Sequence, residues 1–162
     1  MSSQESAEGW AESEKEIPAF IFTCAGKKPR QYDETGGLLL IENSRRNSLY
    51  HYDCFHRFTV YMEKQFRFVE NLPEHIHQKL TVRLHAHYFK MCSFEDMRWK
   101  DRSPNTKIEL GTVKIKEMIK QSRLVVHSYD STGILETLAM DIPTMCFWGG
   151  GLNHLLPSAK PY

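Results

Sequence analysis

The chain has 162 residues, 41% of them hydrophobic and 25% charged, which are the proportions of one globular domain with a single core. A formal net charge of +1 supplies no whole-chain attraction to nucleic acid or to an anionic membrane surface, so neither is an expected partner. Four cysteines, Cys24, Cys54, Cys92 and Cys146, lie scattered without C-x-x-C spacing, which argues against a zinc ribbon or a thioredoxin-type site and fits reduced thiols in a cytoplasmic protein.

The first 16 residues are polar and rich in Ser and Glu, and read as a disordered or poorly packed lead. Glu5, Glu8, Glu12 and Glu14 stand where a signal peptide would carry basic and then apolar residues, and no apolar run approaches the ~20 residues that span a bilayer. A soluble, cytoplasmic chain with no membrane span is expected. Ile17–Cys24 is a candidate strand, and the charged, Gly- and Pro-containing segment Gly26–Gly37 divides a lead, 1–37, from a domain, 38–162. Leu38–Ile41 reads as a buried strand. Arg45 and Arg46 follow its carboxyl end, where an open α/β sheet places its ligand, and are candidates to meet phosphate; solvated loop charges are the alternative.

Phe58–Leu72 sets apolar residues among charged ones at helical spacing and stops before Pro73. Lys79–Leu84 alternates as a strand, Val113–Ile119 is a short amphipathic helix, and Arg123–Val126 is an apolar strand. A helix begins after Asp130–Gly133, and Ile142–Phe147 is another strand ahead of Trp148 and Gly149–Gly151. Strands and helices therefore alternate. The expected fold is α/β, a Rossmann-like parallel sheet with helices on both faces and right-handed crossovers.

Two pairs, His75-x-His77 and His85-x-His87, could each put two imidazoles on one strand face. No Cys or carboxylate completes a third and fourth ligand at matching spacing, so no metal is expected, and sheet-end histidines are the preferred reading. The chain also lacks G-x-x-x-x-G-K-[ST], G-x-G-x-x-G and G-x-S-x-G, the local parts of P-loop NTPases, nicotinamide enzymes and α/β-hydrolases. No cofactor is implied.

The most informative stretch is His127–Thr144, which joins a strand to a helix through a small polar loop. A helix start presents unpaired N–H groups and a positive dipole end; Ser131 and Thr132 add hydroxyls there, and Gly133 permits close approach. An anion fits such a place. At about 100° per residue Ile134, Leu135, Leu138 and Ala139 share one arc expected to face the sheet, whereas Thr132, Gly133 and Glu136 occupy the other. Glu136 has Gly133, not Ser or Thr, three residues before it, so it is not a capping-box glutamate. Its carboxylate could accept hydrogen bonds from two sugar hydroxyls, or be a solvated glutamate stabilised by the dipole.

Five segments, in order, carry a resemblance: Asn71–Glu74, Val82–His87, Arg98–Arg102, Ser122–Trp148 and Ser158–Tyr162. Over roughly residues 38–162 the chain resembles the donor-binding half of bacterial surface-carbohydrate transferases, which are similar to GT-B glycosyltransferases and to capsule and teichoic-acid glycerophosphotransferases. The resemblance implies a Rossmann-like domain holding a nucleotide-activated sugar or alditol donor, with Ser131, Thr132 and Gly133 at the phosphates and Glu136 at ribose or sugar hydroxyls. His85, at the end of the Val82–Leu84 strand, would stabilise the leaving diphosphate. The chain departs from the pattern at His85–His87, where the family carries a proline beside the histidine. A GT-B enzyme also needs an N-terminal acceptor domain that supplies the catalytic base, for which 162 residues leave no room, and the domain is expected to be truncated at its C-terminus. The expected function is transfer of a sugar or alditol phosphate to a carbohydrate or lipid-linked acceptor in surface polysaccharide or lipopolysaccharide synthesis. A non-catalytic nucleotide-sugar binding module, or a degenerate fragment of such an enzyme, is the alternative.

Overall fold

A computed structural model of the chain describes residues 32–43, 58–91, 94–129 and 131–147. Five strands, β1 (Gly37–Ile41), β2 (Leu80–Arg83), β3 (Lys107–Glu109), β4 (Ser122–His127) and β5 (Thr144–Cys146), form one sheet in the order β3-β2-β1-β4-β5. Every pairing is parallel. The helices are α1 (Phe58–Glu70), α2 (Glu74–His77), α3 (Glu95–Arg102), α4 (Ile115–Lys120) and α5 (Thr132–Ala139), with a 3-10 turn at Tyr88–Met91. This is the α/β, Rossmann-like sheet expected from the alternation of elements.

The central strand follows from its side chains. A period of two sends Leu38 and Leu40 to one face of the sheet and Leu39 and Ile41 to the other, so an unbroken apolar run is stable only where both faces are covered. Leu38 and Leu40 pack with Met62, Phe66 and Val69 of α1 and with Trp99 of α3. Leu39 and Ile41 pack with Ile119 of α4, Val125 of β4 and Ile142. The glycines before the run are sterically required: a Cβ on Gly37 would drive into the Lys79 carbonyl oxygen, and one on Gly36 into that of Gln121. They let β1 enter between β2 and β4.

α1 buries Met62, Gln65, Phe66 and Val69, an i, i+3, i+4, i+7 stripe. It ends before Pro73, as its sequence predicts. α3 and β3 have no counterpart in the sequence reading, because each is short and polar. α3 buries only Glu95 and Trp99, and β3 is a three-residue edge strand with no fully buried side chain. Trp99 anchors α3, its ring edge-on to Phe66 with centroids 4.7 Å apart. At the surface Arg102 Nε lies 2.7 Å from Glu70 Oε1, an exposed pair of small energetic weight.

Glu42 continues the parity of Leu38 and Leu40 and so turns into the α1/α3 face. It is 2% exposed, and its Oε2 accepts the Trp99 indole N–H at 3.1 Å. Burial pushes this carboxyl up to about 8 against the Trp99 hydrogen bond, and the neighbouring Glu95 raises it further. Glu42 is therefore largely a neutral acid at pH 7.

The candidate strand Ile17–Cys24, Arg45, Arg46, Trp148, Gly149–Gly151 and three of the four cysteines, Cys24, Cys54 and Cys92, lie outside the described residues. No helix among the described residues is long and apolar enough to cross a membrane.

The raised Glu42 makes stability depend on pH with a defined sign. Between the carboxyl's unfolded value near 4.5 and its folded value of about 8 the native state holds a proton that the unfolded chain has lost, so stability falls as pH rises through that window. Urea unfolding at pH 5, 6, 7 and 8 should show a wild-type midpoint that declines relative to that of Glu42→Gln, the depressed His127 contributing the same opposite slope below about pH 6.5 to both proteins. Parallel pH profiles for the two proteins would refute the assignment.

Candidate functional site

The register aligns the strand ends. Glu109, Arg83, Ile41, His127 and Cys146 are paired neighbours across the whole sheet and form its last row. The chain runs outward from β1 to β2 to β3, then returns past β1 to β4. That reversal makes the gap beyond the carboxyl ends of β1 and β4 the topological switch point, where open parallel sheets bind ligands. Its walls are the residues that follow those ends: Glu42 and Asn43 from one strand, Ser128 and Tyr129 from the other.

Tyr61 of α1 closes the floor of this gap. Ser128 Oγ donates to the Ile41 carbonyl at 3.2 Å, so toward Tyr61, 2.8 Å away, it accepts the phenolic proton. The Tyr61 oxygen in turn accepts the Asn43 N–H at 3.1 Å. One phenol thus ties together the residues leaving both strands. Burial, with Glu42 nearby, raises the Tyr61 hydroxyl well above the ordinary phenolic range and keeps it neutral.

β4 leads through Ser128 and Tyr129 to α5. The Ile134 N–H is taken by the Ser131 carbonyl at 3.2 Å, whereas the Ser131 side chain caps nothing. The N–H groups of Thr132 and Gly133 have no partner among the described residues. Unclaimed donors and the positive end of the helix dipole together favour an anion. Thr132 is exposed and Gly133 half-buried. Ser131 faces inward: its Oγ is buried and without a hydrogen bond.

α5 is rotated from the expected arc. Leu138, placed on the sheet side by its polarity, is 55% exposed, while Thr137 is fully buried and Gly133, expected on the outer side, lies over the sheet. The reason is His127, a polar side chain at the end of β4 beneath the helix and only 1% exposed. A Cβ at Gly133 would come within 3.2 Å of the imidazole Cε1, and Thr137 Oγ1 is 3.3 Å from Nε2. The helix therefore turns its smallest residue and its hydroxyl, four apart, toward the ring. Apolar periodicity could not register a polar contact of this kind. Burial pushes His127 down to about 4, so the imidazole is neutral. Glu136 stays half-buried on the helix surface, and its carboxylate has no partner among the described residues.

His85 stands beyond β2, on the same sheet edge, with β1 between β2 and β4. Its Nδ1 accepts the His87 N–H at 3.1 Å, which leaves Nε2 as the protonated nitrogen of the neutral ring. Burial, then the charges of His87 and Arg83, lower its proton affinity. Arg83 is already engaged: its Nε lies 3.4 Å from Glu109 Oε2 and its Nη2 donates to the Val113 carbonyl at 3.2 Å. Of the other histidine pair, His77 is 2.9 Å from Thr106 Oγ1. Among the described residues no group of three or more His, Cys, Asp or Glu could hold a metal.

The structure thus gathers Ser131, Thr132, Gly133 and Glu136 along one loop and helix, sets His85 on the same edge, and adds four residues that the sequence reading did not single out, Glu42, Tyr61, His127 and Ser128. A carboxylate directly after an apolar strand, and a histidine and serine directly after another, were the available signals. Tyr61 gave none, since its role exists only when α1 lies against both strand ends.

Removing the Tyr61 hydroxyl should loosen this gap. In Tyr61→Phe the Asn43 N–H and the Ser128 hydroxyl each lose a partner, with an expected cost of about 1–3 kcal/mol. A denaturant midpoint equal to that of the wild type would show that the bridge carries no weight.

No curated protein and no solved structure matches the chain. A family model described as LIC12162 family transferase matches residues 7–162, nearly the full length and every residue of the gap described above. The chain belongs to the LIC12162 family of transferases.

Proposed function

We propose that the chain is the donor-binding domain of a cytoplasmic transferase that moves a sugar or an alditol phosphate from a nucleotide-activated donor to a carbohydrate or lipid-linked acceptor in surface polysaccharide or lipopolysaccharide synthesis. The observation that carries the reading is the start of α5 at the switch point, which Ser131 does not cap, with two N–H groups unpartnered among the described residues beside an exposed Thr132. A diphosphate seated there receives the Thr132 hydroxyl, the two N–H groups and the helix dipole. Glu136 follows Thr132 by four residues, one turn or about 6 Å along the same face, a spacing that suits a hydroxyl pair on the sugar or ribose next to that diphosphate.

In the transfer step negative charge grows on the departing group, a nucleoside diphosphate when a sugar is moved and a nucleoside monophosphate when an alditol phosphate is moved. The α5 start stabilises it, and the Nε2–H of His85, beyond the end of β2 on the far side of β1, is the second donor of the right kind. The acceptor hydroxyl attacks after giving its proton to a base in an acceptor domain outside this chain. Arg45 and Arg46, which follow β1 in sequence, are further candidates for the phosphates.

Two substitutions separate the proposed contacts. Thr132→Val should weaken inorganic diphosphate and nucleoside diphosphates alike. Glu136→Gln should spare inorganic diphosphate and weaken nucleotide sugars by about 1–3 kcal/mol, roughly tenfold to a hundredfold, through loss of a charge-assisted hydrogen bond. Titration calorimetry with inorganic diphosphate and with CDP-, UDP-, GDP- and dTDP-linked ligands would decide. Equal affinity of the wild type and Glu136→Gln for every nucleotide ligand would leave Glu136 as a solvated helix residue.

A further inference from the structure

Past the last row of the sheet, the segments leaving β2 and β3 stay pressed together without ladder hydrogen bonds. The ladder ends where the Leu84 N–H donates to the Glu109 carbonyl at 2.9 Å. Two residues further along each chain, Gly111 meets Ala86. A Cβ on Gly111 would drive into Ala86 Cα and stand 2.6 Å from Ala86 N and 3.0 Å from the His85 carbonyl carbon. Gly111 also has φ +78°, the left-handed region that side chains disfavour. Only glycine lets the loop after β3 lie on the His85–Ala86 peptide.

The loop is gripped by a carboxylate. Glu109 Oε2 accepts the Gly111 N–H at 3.0 Å, and Oε1 accepts the N–H groups of Thr112 at 2.6 Å and Val113 at 2.9 Å and the Thr112 hydroxyl at 2.7 Å. Burial opposes the charge on Glu109, but the bonds from Val113, Thr112 and Gly111 outweigh it and hold the carboxyl below the usual range. Arg83 braces the same loop from β2, with Nε 3.4 Å from Glu109 Oε2 and Nη2 donating to the Val113 carbonyl at 3.2 Å.

Across the contact, His85 is tied by both backbone and ring. Its carbonyl accepts the Tyr88 N–H at 2.9 Å, and its Nδ1 accepts the His87 N–H at 3.1 Å. A neutral imidazole that accepts at Nδ1 carries its proton on Nε2. The ring bond spans Ala86, the residue on which Gly111 rests, so a shift of the loop disturbs the geometry that fixes the proton.

We propose that Glu109 and Gly111 are positioning residues: the carboxylate clamps the loop after β3 against the His85–Ala86 peptide, and the clamped peptide keeps His85 in the one tautomer that offers an Nε2–H to the departing group. The ligand half of this proposal rests on the donor-site reading above, in which His85 meets that group. The positioning half rests on contacts within the chain alone.

Nitrogen-15 NMR of the full chain, with titration by inorganic diphosphate, tests the two halves separately. In the wild type His85 should be protonated on Nε2 and bare on Nδ1. Gly111→Ala drives a methyl into Ala86 without changing charge, and Glu109→Gln keeps the size of the side chain while replacing one accepting oxygen with an amide that donates. In each variant His85 should become a mixture of both tautomers. Diphosphate affinity should fall about three- to tenfold, the scale of one hydrogen bond, and in a His85→Phe background neither substitution should lower it further. If Gly111→Ala does not fold, Glu109→Gln carries both readouts. Val69→Ala, a core truncation on α1, controls for general loosening: it should lower the urea midpoint and leave the His85 tautomer unchanged. A proton on Nδ1 in the wild type, folded variants that keep the wild-type tautomer, or the same mixing in Val69→Ala would each overturn the positioning role. A chain that binds no diphosphate, or binds it equally well as His85→Phe, would overturn the leaving-group reading of His85 and the ligand half of this proposal with it, whatever the tautomer does.

Discussion

The backbone of β1 is hydrogen-bonded on one side to β2 and on the other to β4, and its side chains are covered on both faces. A strand so enclosed can meet solvent only at its ends. Because Ile41 is in register with both Arg83 and His127, the end of β1 is level with those of its two neighbours. Everything proposed to touch a ligand hangs from that row. Glu42 and Asn43 leave it from β1, Ser128 and the loop to α5 leave it from β4, and His85 leaves it from β2. Four apolar residues and the two glycines before them thus fix where the chemistry can be.

The floor of the resulting gap contains several ionisable groups, and burial keeps the central ones uncharged. Glu42 holds its proton, Tyr61 keeps its phenolic hydrogen, and His127 stays an unprotonated imidazole. Arg83, the nearest fixed cation on the row, is matched by Glu109, whose own carboxylate is further satisfied by the N–H groups of Gly111, Thr112 and Val113. A carboxylate at Glu42 would have repelled phosphate; a neutral acid does not. In the proposed donor site the attraction for an anion then falls to dipoles, those of α5 and its first N–H groups, and these act without the reorganisation that a mobile charged side chain would need.

The contacts that hold this arrangement are mostly to backbone. Ser128 and Tyr61 fasten the Ile41 carbonyl and the Asn43 N–H, and Thr137 fastens two carbonyls of its own helix. Such bonds set the path of the chain and leave the outward side chains of Thr132 and Glu136 uncommitted. In the donor site proposed above, this separation lets a rigid inner shell define position while the exposed Thr132 and the half-buried Glu136 stay open to the donor.

The amino-acid sequence by itself determined the class of the fold and singled out the loop before α5 as the candidate segment. Unbroken apolar runs at Leu38–Ile41 and Leu124–Val126, alternating with helical segments, suit inner strands of a covered parallel sheet, and a polar, glycine-bearing loop before a helix marks a helix start. The sequence did not contain α3 and β3 in readable form, because one buried tryptophan and a three-residue edge strand make no periodic signal. It also misplaced the face of α5, since polarity sends Leu138 inward and Gly133 outward. Only the tertiary structure put a buried histidine under that helix, which reverses the choice: a ring with one bonded and one bare nitrogen needs a glycine and a hydroxyl against it, and it accepts them at the expense of a leucine. In the same way Glu42, Tyr61 and Ser128 belong to three separate stretches of chain and acquire a common role only where two strand ends and one helix meet.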